Sequence, residues 1–243
     1  MENNREKIYD KLPVIYEFLM RKVSYQTWAR YLISILKEYV PVKGRVLEIA
    51  AGNCKLANYF INYFPDITAT DLSKNMLASD EKERLPKVCC DMCRLPFKVK
   101  FNLVYSTFDS VNYLRSRKSL LQMLNEVAFV LEKKGIFAFD ASMEKNSIIH
   151  TKIPERKGSY NGINFIQRSA YNPETRFHTN KFKITMPNGE VFSEIHKQRI
   201  YTFETYFDLL ERAGFYVVKC YESFTIKDGG PDSERLQFIA KKR

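Results

Sequence analysis

Hydrophobic positions change their period twice along this chain of 243 residues. Over 24–39, Trp28, Tyr31, Leu32, Ile35, Leu36 and Tyr39 recur at three- and four-residue spacing, which predicts an amphipathic helix. From residue 45 onward, short apolar runs alternate with helical stripes. Strands are predicted at 45–50, Ile67–Asp71, 88–91, Phe101–Ser106 and 136–140, and helices at 55–63 and 73–79. Ser73 suits the start of the second helix, because its hydroxyl can accept a hydrogen bond from a free first-turn amide. A longer stripe, Leu120, Leu121, Leu124, Val127, Ala128 and Leu131, predicts a third helix, stopped at Lys133-Lys134-Gly135.

Strands that alternate with helices imply a doubly wound α/β fold whose parallel sheet is covered on both faces. Ligands of such sheets bind at the carboxyl ends of the strands. Here those ends carry Glu48, Asp71, Asp91, Ser106 and Asp140. Residues 151–200 break the alternation. Asn161-Gly162 and Asn188-Gly189 are hairpin signals, Asn172-Pro173 marks another turn, and 182–186 and 191–200 alternate with period two. An antiparallel insertion over the parallel core, spanning 151–201, is predicted. A helix through Tyr206, Phe207, Leu209, Leu210 and Ala213 then stops at Gly214, and strands follow at 215–221 and 236–240.

Composition narrows the class. Hydrophobic residues make up 45% of the chain, enough for one sizeable core across 1–243. No apolar run reaches the roughly 18 residues of a membrane span. Met1 to Glu6 lacks the apolar stretch of a secretion signal, so a cytoplasmic location is expected. The five cysteines are odd in number and irregularly spaced, and they read as reduced thiols. Cys90-x-x-Cys93 has no second pair to complete a metal site and is expected to be packing. The net charge of +11 leaves nucleic acid open as a partner, although no block of five basic residues occurs. The insertion holds nine basic and four acidic residues, a local net of +5, and His150, His178 and His196 fall in or beside it.

The most informative segment is Val46-Leu47-Glu48-Ile49-Ala50-Ala51-Gly52-Asn53-Cys54-Lys55-Leu56. Small residues at 50–52 let a ligand approach the backbone, and the helix that follows offers free amides. Glu48 could hold a cationic group. Asp71, nineteen residues after Gly52, ends the next strand, where a carboxylate can accept both hydroxyls of a ribose. A dinucleotide site needs glycines that bring the backbone to a pyrophosphate. Ala50 and Lys55 occupy two of those positions, so a ligand without phosphates fits better. S-adenosyl-L-methionine, with a nucleoside at one end and an amino acid at the other, is such a ligand.

These residues resemble the class I S-adenosylmethionine-dependent methyltransferases, and the resemblance runs nearly end to end. Glu48–Cys54 is similar to the family's first motif, with Ala50 in place of its first glycine. Asp71-Leu72-Ser73 with Met76 is similar to the ribose and adenine segment, and Asp91-Met92 to the acid that meets the adenine amino group. Ser106-Thr107-Phe108-Asp109-Ser110 resembles the fourth-strand segment beside the methionine end and the reaction centre. Leu131-Glu132-Lys133-Lys134-Gly135 resembles a Leu-x-x-Gly-Gly stretch, with Lys134 for one glycine. The resemblance implies a seven-stranded, mostly parallel, Rossmann-like sheet whose last strand is antiparallel. More narrowly, the layout is similar to glycine- and amino-sugar-type N-methyltransferases. That implies a helical lid over 1–40, carrying Tyr9-Asp10-Lys11-Leu12 and Tyr25-x-x-Trp28, in which Tyr9 touches the cofactor and Arg21 binds its carboxylate.

A sulfonium methyl is already electrophilic, so the protein's task is mainly alignment and exclusion of water. A hydroxyl acceptor would add the need for a general base, and His196 is the candidate. Asp109, Arg199 and Tyr201 are candidate acceptor-binding residues, although His196 and Arg199 face opposite ways on a regular strand. The segment Ser106-Thr107-Phe108-Asp109 lacks the Pro-Pro signature of adenine- and glutamine-nitrogen methylation. No cysteine has the Pro-Cys setting of cytosine carbon methylation. Transfer to a small molecule, at nitrogen, is the favoured expectation. An RNA or protein methyltransferase docking through the basic insertion, and a non-catalytic cofactor-binding protein, are the alternatives.

Overall fold

In the computed structural model, which describes Tyr9 and residues 12–243, eleven strands divide between two sheets. Strands β1 (Val46–Ile49), β2 (Ile67–Asp71), β3 (Lys87–Cys89), β4 (Phe101–Ser106) and β5 (Leu131–Ser142) are parallel. Strands β6 (Glu155–Tyr160), β7 (Ile163–Asn172), β8 (Phe177–Thr185) and β9 (Val191–Arg199) form an antiparallel sheet of their own. Strands β10 (Phe215–Glu222) and β11 (Arg235–Lys242) complete the first sheet in the order β10-β11-β5-β4-β1-β2-β3. Only β11, antiparallel to both β10 and β5, runs against the others.

The seven-stranded sheet is an α/β core because its central strands are apolar on both faces, as a doubly covered sheet requires. All four residues of β1 are buried. One face packs Leu47 and Ile49 against Leu120, Leu124 and Val127 of α5 (Arg117–Val130). The other packs Val46 against Trp28, Leu32 and Leu36 of α2 (Tyr25–Leu36) and Phe60 of α3 (Ala57–Phe60). Each fully buried leucine or phenylalanine contributes about 1.5–3 kcal/mol, so the helical stripes hold the layers together. The Ser24 hydroxyl caps α2 by accepting from the Thr27 amide at 3.2 Å.

Two further helices complete the fold, one within the helical lid expected over 1–40 and one outside the predicted pattern. The first, α1 (Pro13–Leu19), joins Leu12 and Ile15 to Ile163, Phe165, Phe182 and Ile184 of the second sheet. The other, α6 (Glu144–Thr151), buries only Ser147. The predicted helix over 55–63 shortens to α3, because flanking amides close three-residue turns such as Tyr63 N–H to Phe60 O. The second sheet is a regular four-stranded antiparallel sheet, and its turns fall at the three predicted sites. No described helix is long and apolar enough to cross a membrane.

Candidate active site

The turn after β1 carries the most constrained backbone in the core. Ala50 and Gly52 have φ of 55° and 57°, a region that favours glycine. A Cβ on Gly52 would stand 3.1 Å from Met76 Cε. This turn presents its amides to Asp71 at the end of β2. Gly52 N–H donates to Asp71 Oδ2 at 2.8 Å and Ser73 N–H to Oδ1 at 2.7 Å. Burial raises the Asp71 carboxyl above its ordinary range, and the two amides offset part of that rise. Ser73 also caps α4 (Lys74–Ala78) by accepting from Met76 N–H, and donates to the Tyr9 carbonyl at 3.0 Å.

A cavity of about 510 Å3 opens over these strand ends. Ala50, Gly52 and Asp71 lie on its floor, with Leu72, Met76, Asp91 and Met92 beside them. Tyr9, Tyr16 and Tyr25 line it from the N-terminal side, and Ile195 and Lys197 from β9. Cys90 and Cys93 reach the same wall. Asp91 is fixed by the Cys93 amide at 2.8 Å. Glu17 of α1 receives Asn53 and pairs with Lys55, clasping the helix onto the turn after β1. The Tyr25 hydroxyl is buried beside Tyr16 without a hydrogen bond of standard geometry.

Other residues singled out in the sequence stand outside the lining. Glu48 is buried within the core beside Tyr105 and the Ala57 amide, and burial pushes its carboxyl up to about 8. A neutral acid walled off in this way does not meet a ligand's cation, which corrects that expectation. Arg21 is corrected too: it is exposed, its guanidinium lies over the Phe18 ring at 3.7 Å, and it donates to the Phe18 carbonyl. Ser106 and Thr107 are buried beneath the floor. Asp109, at a φ of 50°, points into an ion pair with Arg235 at 2.6 Å and a hydrogen bond from Gln198. Arg199 stacks on Phe177 and donates to the Thr175 carbonyl, and the Tyr201 hydroxyl donates to the Leu114 carbonyl. None of these three reaches the cavity. The predicted Asp10 and Lys11 lie outside the described residues.

His196 is 2% exposed and stands behind the cavity wall, with Tyr113 between it and the open space. The ring's Nδ1 is 3.1 Å from the Tyr113 hydroxyl, and its Nε2 is 3.2 Å from Glu194 Oε2. Tyr113 belongs to a short 3-10 turn, Ser110–Tyr113, that follows β4, and its hydroxyl lies 2.9 Å from that of Tyr9. Glu194 also accepts the amides of Tyr9 at 3.0 Å and Leu12 at 2.8 Å. Tyr16, Tyr113 and Glu194 were missed from sequence. Glu194 was legible, because residues two apart on a strand share a face with His196. Tyr113 had no such signal.

Known proteins agree with this architecture. A family model described as a methyltransferase domain matches residues 47–139. The candidate methyltransferase YqeM of Bacillus subtilis (strain 168) is 26% identical over 246 residues, covering 97% of each chain. Among solved structures, an S-adenosylmethionine-dependent methyltransferase from Clostridium acetobutylicum ATCC 824 superposes with a TM-score of 0.81 at 21% identity, covering 96% of this chain and 98% of that one. The sugar N-methyltransferase KedS8 from Streptoalloteichus sp ATCC 53650 superposes with a TM-score of 0.75 at 18% identity, covering 95% and 92%. Residues 47–139 thus match a methyltransferase domain, and the fold around them is shared with the Clostridium acetobutylicum structure along nearly the whole chain.

Proposed function

We propose that this protein transfers a methyl group from S-adenosylmethionine to a nitrogen atom of a small molecule held beneath the antiparallel sheet. The observation that carries the reading is the Asp71 carboxylate, oriented by two amides at the floor of a cavity sized for one nucleoside and a small partner. Each Asp71 oxygen keeps a further lone pair for a ribose hydroxyl. Asp91 suits the adenine amino group, and Leu72, Met76 and Met92 suit the faces of the base. The unpartnered Tyr25 hydroxyl, with Tyr16, suits the amino-acid end in place of Glu48 and Arg21. Ala50 and Gly52 let the backbone lie close beside it.

When bound, the cofactor supplies a methyl already activated by its sulfonium. The chain's own residues orient the two reactants and exclude water. Here α1, clasped to the turn by Glu17, acts as the lid, and β9 closes the acceptor side. The KedS8 likeness supports a small acceptor and transfer to nitrogen. Several cations of the insertion are already paired, Lys157 and Arg168 with Glu155 and Arg176 with Glu144, which weakens the case for RNA. The test is a screen of amines, phenols and RNA with methyl-labelled cofactor, alongside calorimetric titration of the cofactor. Label in an amine is the expected result. Label in RNA, lost steeply with added salt, would overturn the acceptor class. Failure of the cofactor to bind would overturn the whole reading.

A further inference from the structure

We propose that Tyr113, His196 and Glu194 form a proton relay, in which the Tyr113 hydroxyl takes the acceptor's proton while His196 and Glu194 position and drive it. The inference rests on the methyl-transfer reading above and adds the route by which the acceptor is deprotonated. An amine is largely protonated in neutral water, and its lone pair is free to attack only after that proton leaves. Among the described residues, no carboxylate lines the upper wall, where the lining comes from Tyr9, Tyr113, Ile195 and Lys197. Tyr113, which lines that wall, is backed through its hydroxyl by His196 and, behind it, Glu194.

The direction of each hydrogen bond follows from the chemistry of the partners. Glu194 Oε2 accepts from Tyr9 N–H, and Oε1 from Leu12 N–H. Two amide donors favour the ionised carboxylate, which can only accept. His196 must then present Nε2–H to Glu194 at 3.2 Å, and the Nδ1 of a neutral ring is left as an acceptor. Tyr113 donates to that Nδ1 at 3.1 Å, and Tyr9 donates to Tyr113 Oη at 2.9 Å. Tyr113 Oη retains one lone pair, and Tyr113 lines the cavity. Burial holds both tyrosine hydroxyls well above their ordinary range, so they pass protons on as neutral phenols and do not store charge.

In the step itself the acceptor's N–H bond breaks, and its proton bonds to Tyr113 Oη. The hydroxyl proton of Tyr113 passes to His196 Nδ1, and the new imidazolium faces the Glu194 carboxylate. The count of protons and electrons is unchanged. After product leaves, the same path returns the proton to water in the cavity. The titratable groups set against the ring are Glu194 on β9, Tyr113 on the turn after β4 and Tyr9 on the N-terminal segment, with the Phe182 ring of β8 packed edge-on. Asp109 acts at longer range on Tyr9 and Tyr113, and Asp71 on Tyr9.

The first test needs no acceptor. The chain has three histidines, so 15N-histidine NMR of the whole protein, with His196→Asn for assignment, resolves the His196 ring. The relay requires the neutral ring to carry its proton on Nε2, and requires Glu194→Gln to raise the share of the Nδ1–H tautomer, because the carboxylate that holds the proton on Nε2 is gone. A proton on Nδ1 would overturn the proposal, since the ring could not then accept from Tyr113. The second test uses the amine that the screen selects. Tyr113→Phe and His196→Asn should each lower kcat about a hundredfold with KM nearly unchanged, and the double variant should be no worse than either single one. Glu194→Gln should lower kcat as well, again with KM nearly unchanged. Losses that multiply in the double variant, or appear only in KM, would reduce these residues to packing and overturn the relay. Calorimetric binding of S-adenosylhomocysteine by each variant reports that the fold is intact and keeps failure of the relay distinct from failure of the methyl-transfer reading.

Discussion

The seven-stranded core and the four-stranded sheet above it build their halves of the cavity in different ways. The core strands are buried on both faces, so their side chains are committed to packing, and the ligand meets what protrudes at strand ends: a turn, two amides and Asp71. In β9 burial alternates residue by residue, with Glu194, His196 and Gln198 inside and Ser193, Lys197 and Val191 exposed. Its cavity-lining residues, Ile195 and Lys197, alternate with Glu194 and His196, which stand behind the wall. A parallel core thus fixes where a ligand sits, and an alternating cover decides which groups surround the reacting end.

Variants can break this division of labour, beginning where the two sheets share a buried charge. Arg235 of β11 pairs with Asp109 at 2.6 Å and with the fully buried Asp140. Gln198 of β9 donates to the same Asp109. Burial already pushes the Asp140 carboxyl up to about 6, although Arg235 pulls it down. Arg235→Met should cost about 3–5 kcal/mol in urea unfolding, because it strands two carboxylates. A loss below 1 kcal/mol would show that the cluster is not a joint between the sheets.

Asp71→Ala separates the floor from the cover by affinity. It should weaken S-adenosylmethionine binding roughly a hundredfold by calorimetry, the value of two hydrogen bonds to a charged acceptor. Glu194→Gln should leave that affinity within about threefold. Similar losses in both variants would mean that the cover also holds the cofactor.

Glu48 tests the core alone. Its carboxyl titrates near 8 when folded and near 4.5 when unfolded, so the folded state binds the extra proton between those values. Stability therefore falls as pH rises from about 4.5 to about 8, by at most about 1.4 kcal/mol per pH unit. In Glu48→Gln the fall should become shallower, most clearly between about pH 6 and 8, above the Asp140 range, in denaturant melts across pH. An unchanged slope there would place its source elsewhere.

The smallest effect expected is a gain. Ala50 and Lys134 both adopt positive φ, 55° and 65°, where a side chain is strained. Ala50→Gly and Lys134→Gly should each raise stability by about 1 kcal/mol, read as a higher melting temperature. Destabilisation by either would show that the left-handed conformation is not the dominant cost there.

The same contrast explains what the sequence disclosed. β2 and β4 were read to the residue, because each is a short run rich in β-branched, aromatic or aliphatic side chains closed by a polar strand end, Asp71 or Ser106. The hairpin turns were equally plain, since Asn-Gly pairs at 161–162 and 188–189 suit left-handed backbone, and Asn161, Gly162 and Gly189 adopt it. Asp71 was legible through its spacing from Gly52. Side chains that reach the cavity from irregular turns were not, and Tyr113 is the clearest instance. Glu48 and Arg21 were misplaced for a different reason. A motif fixes which residue type follows a strand, whereas burial by α3 and stacking on Phe18 depend on neighbours far from the motif. The two weakest helices, α1 and α6, carry too short or too faint an apolar stripe to separate them from loop.

Tyr9 and Leu12 are fastened by three hydrogen bonds, two amides to Glu194 and one carbonyl to Ser73, so the same short stretch is moored to the cover at one side and to the core at the other. A ligand that enters from the side that Tyr9 lines must slip those moorings. Breaking them together costs on the order of 3 kcal/mol, which leaves the unmoored form at about one molecule in a hundred. Exchange by that route would draw on this minor form, whose share is set by the very carboxylate that steadies the histidine.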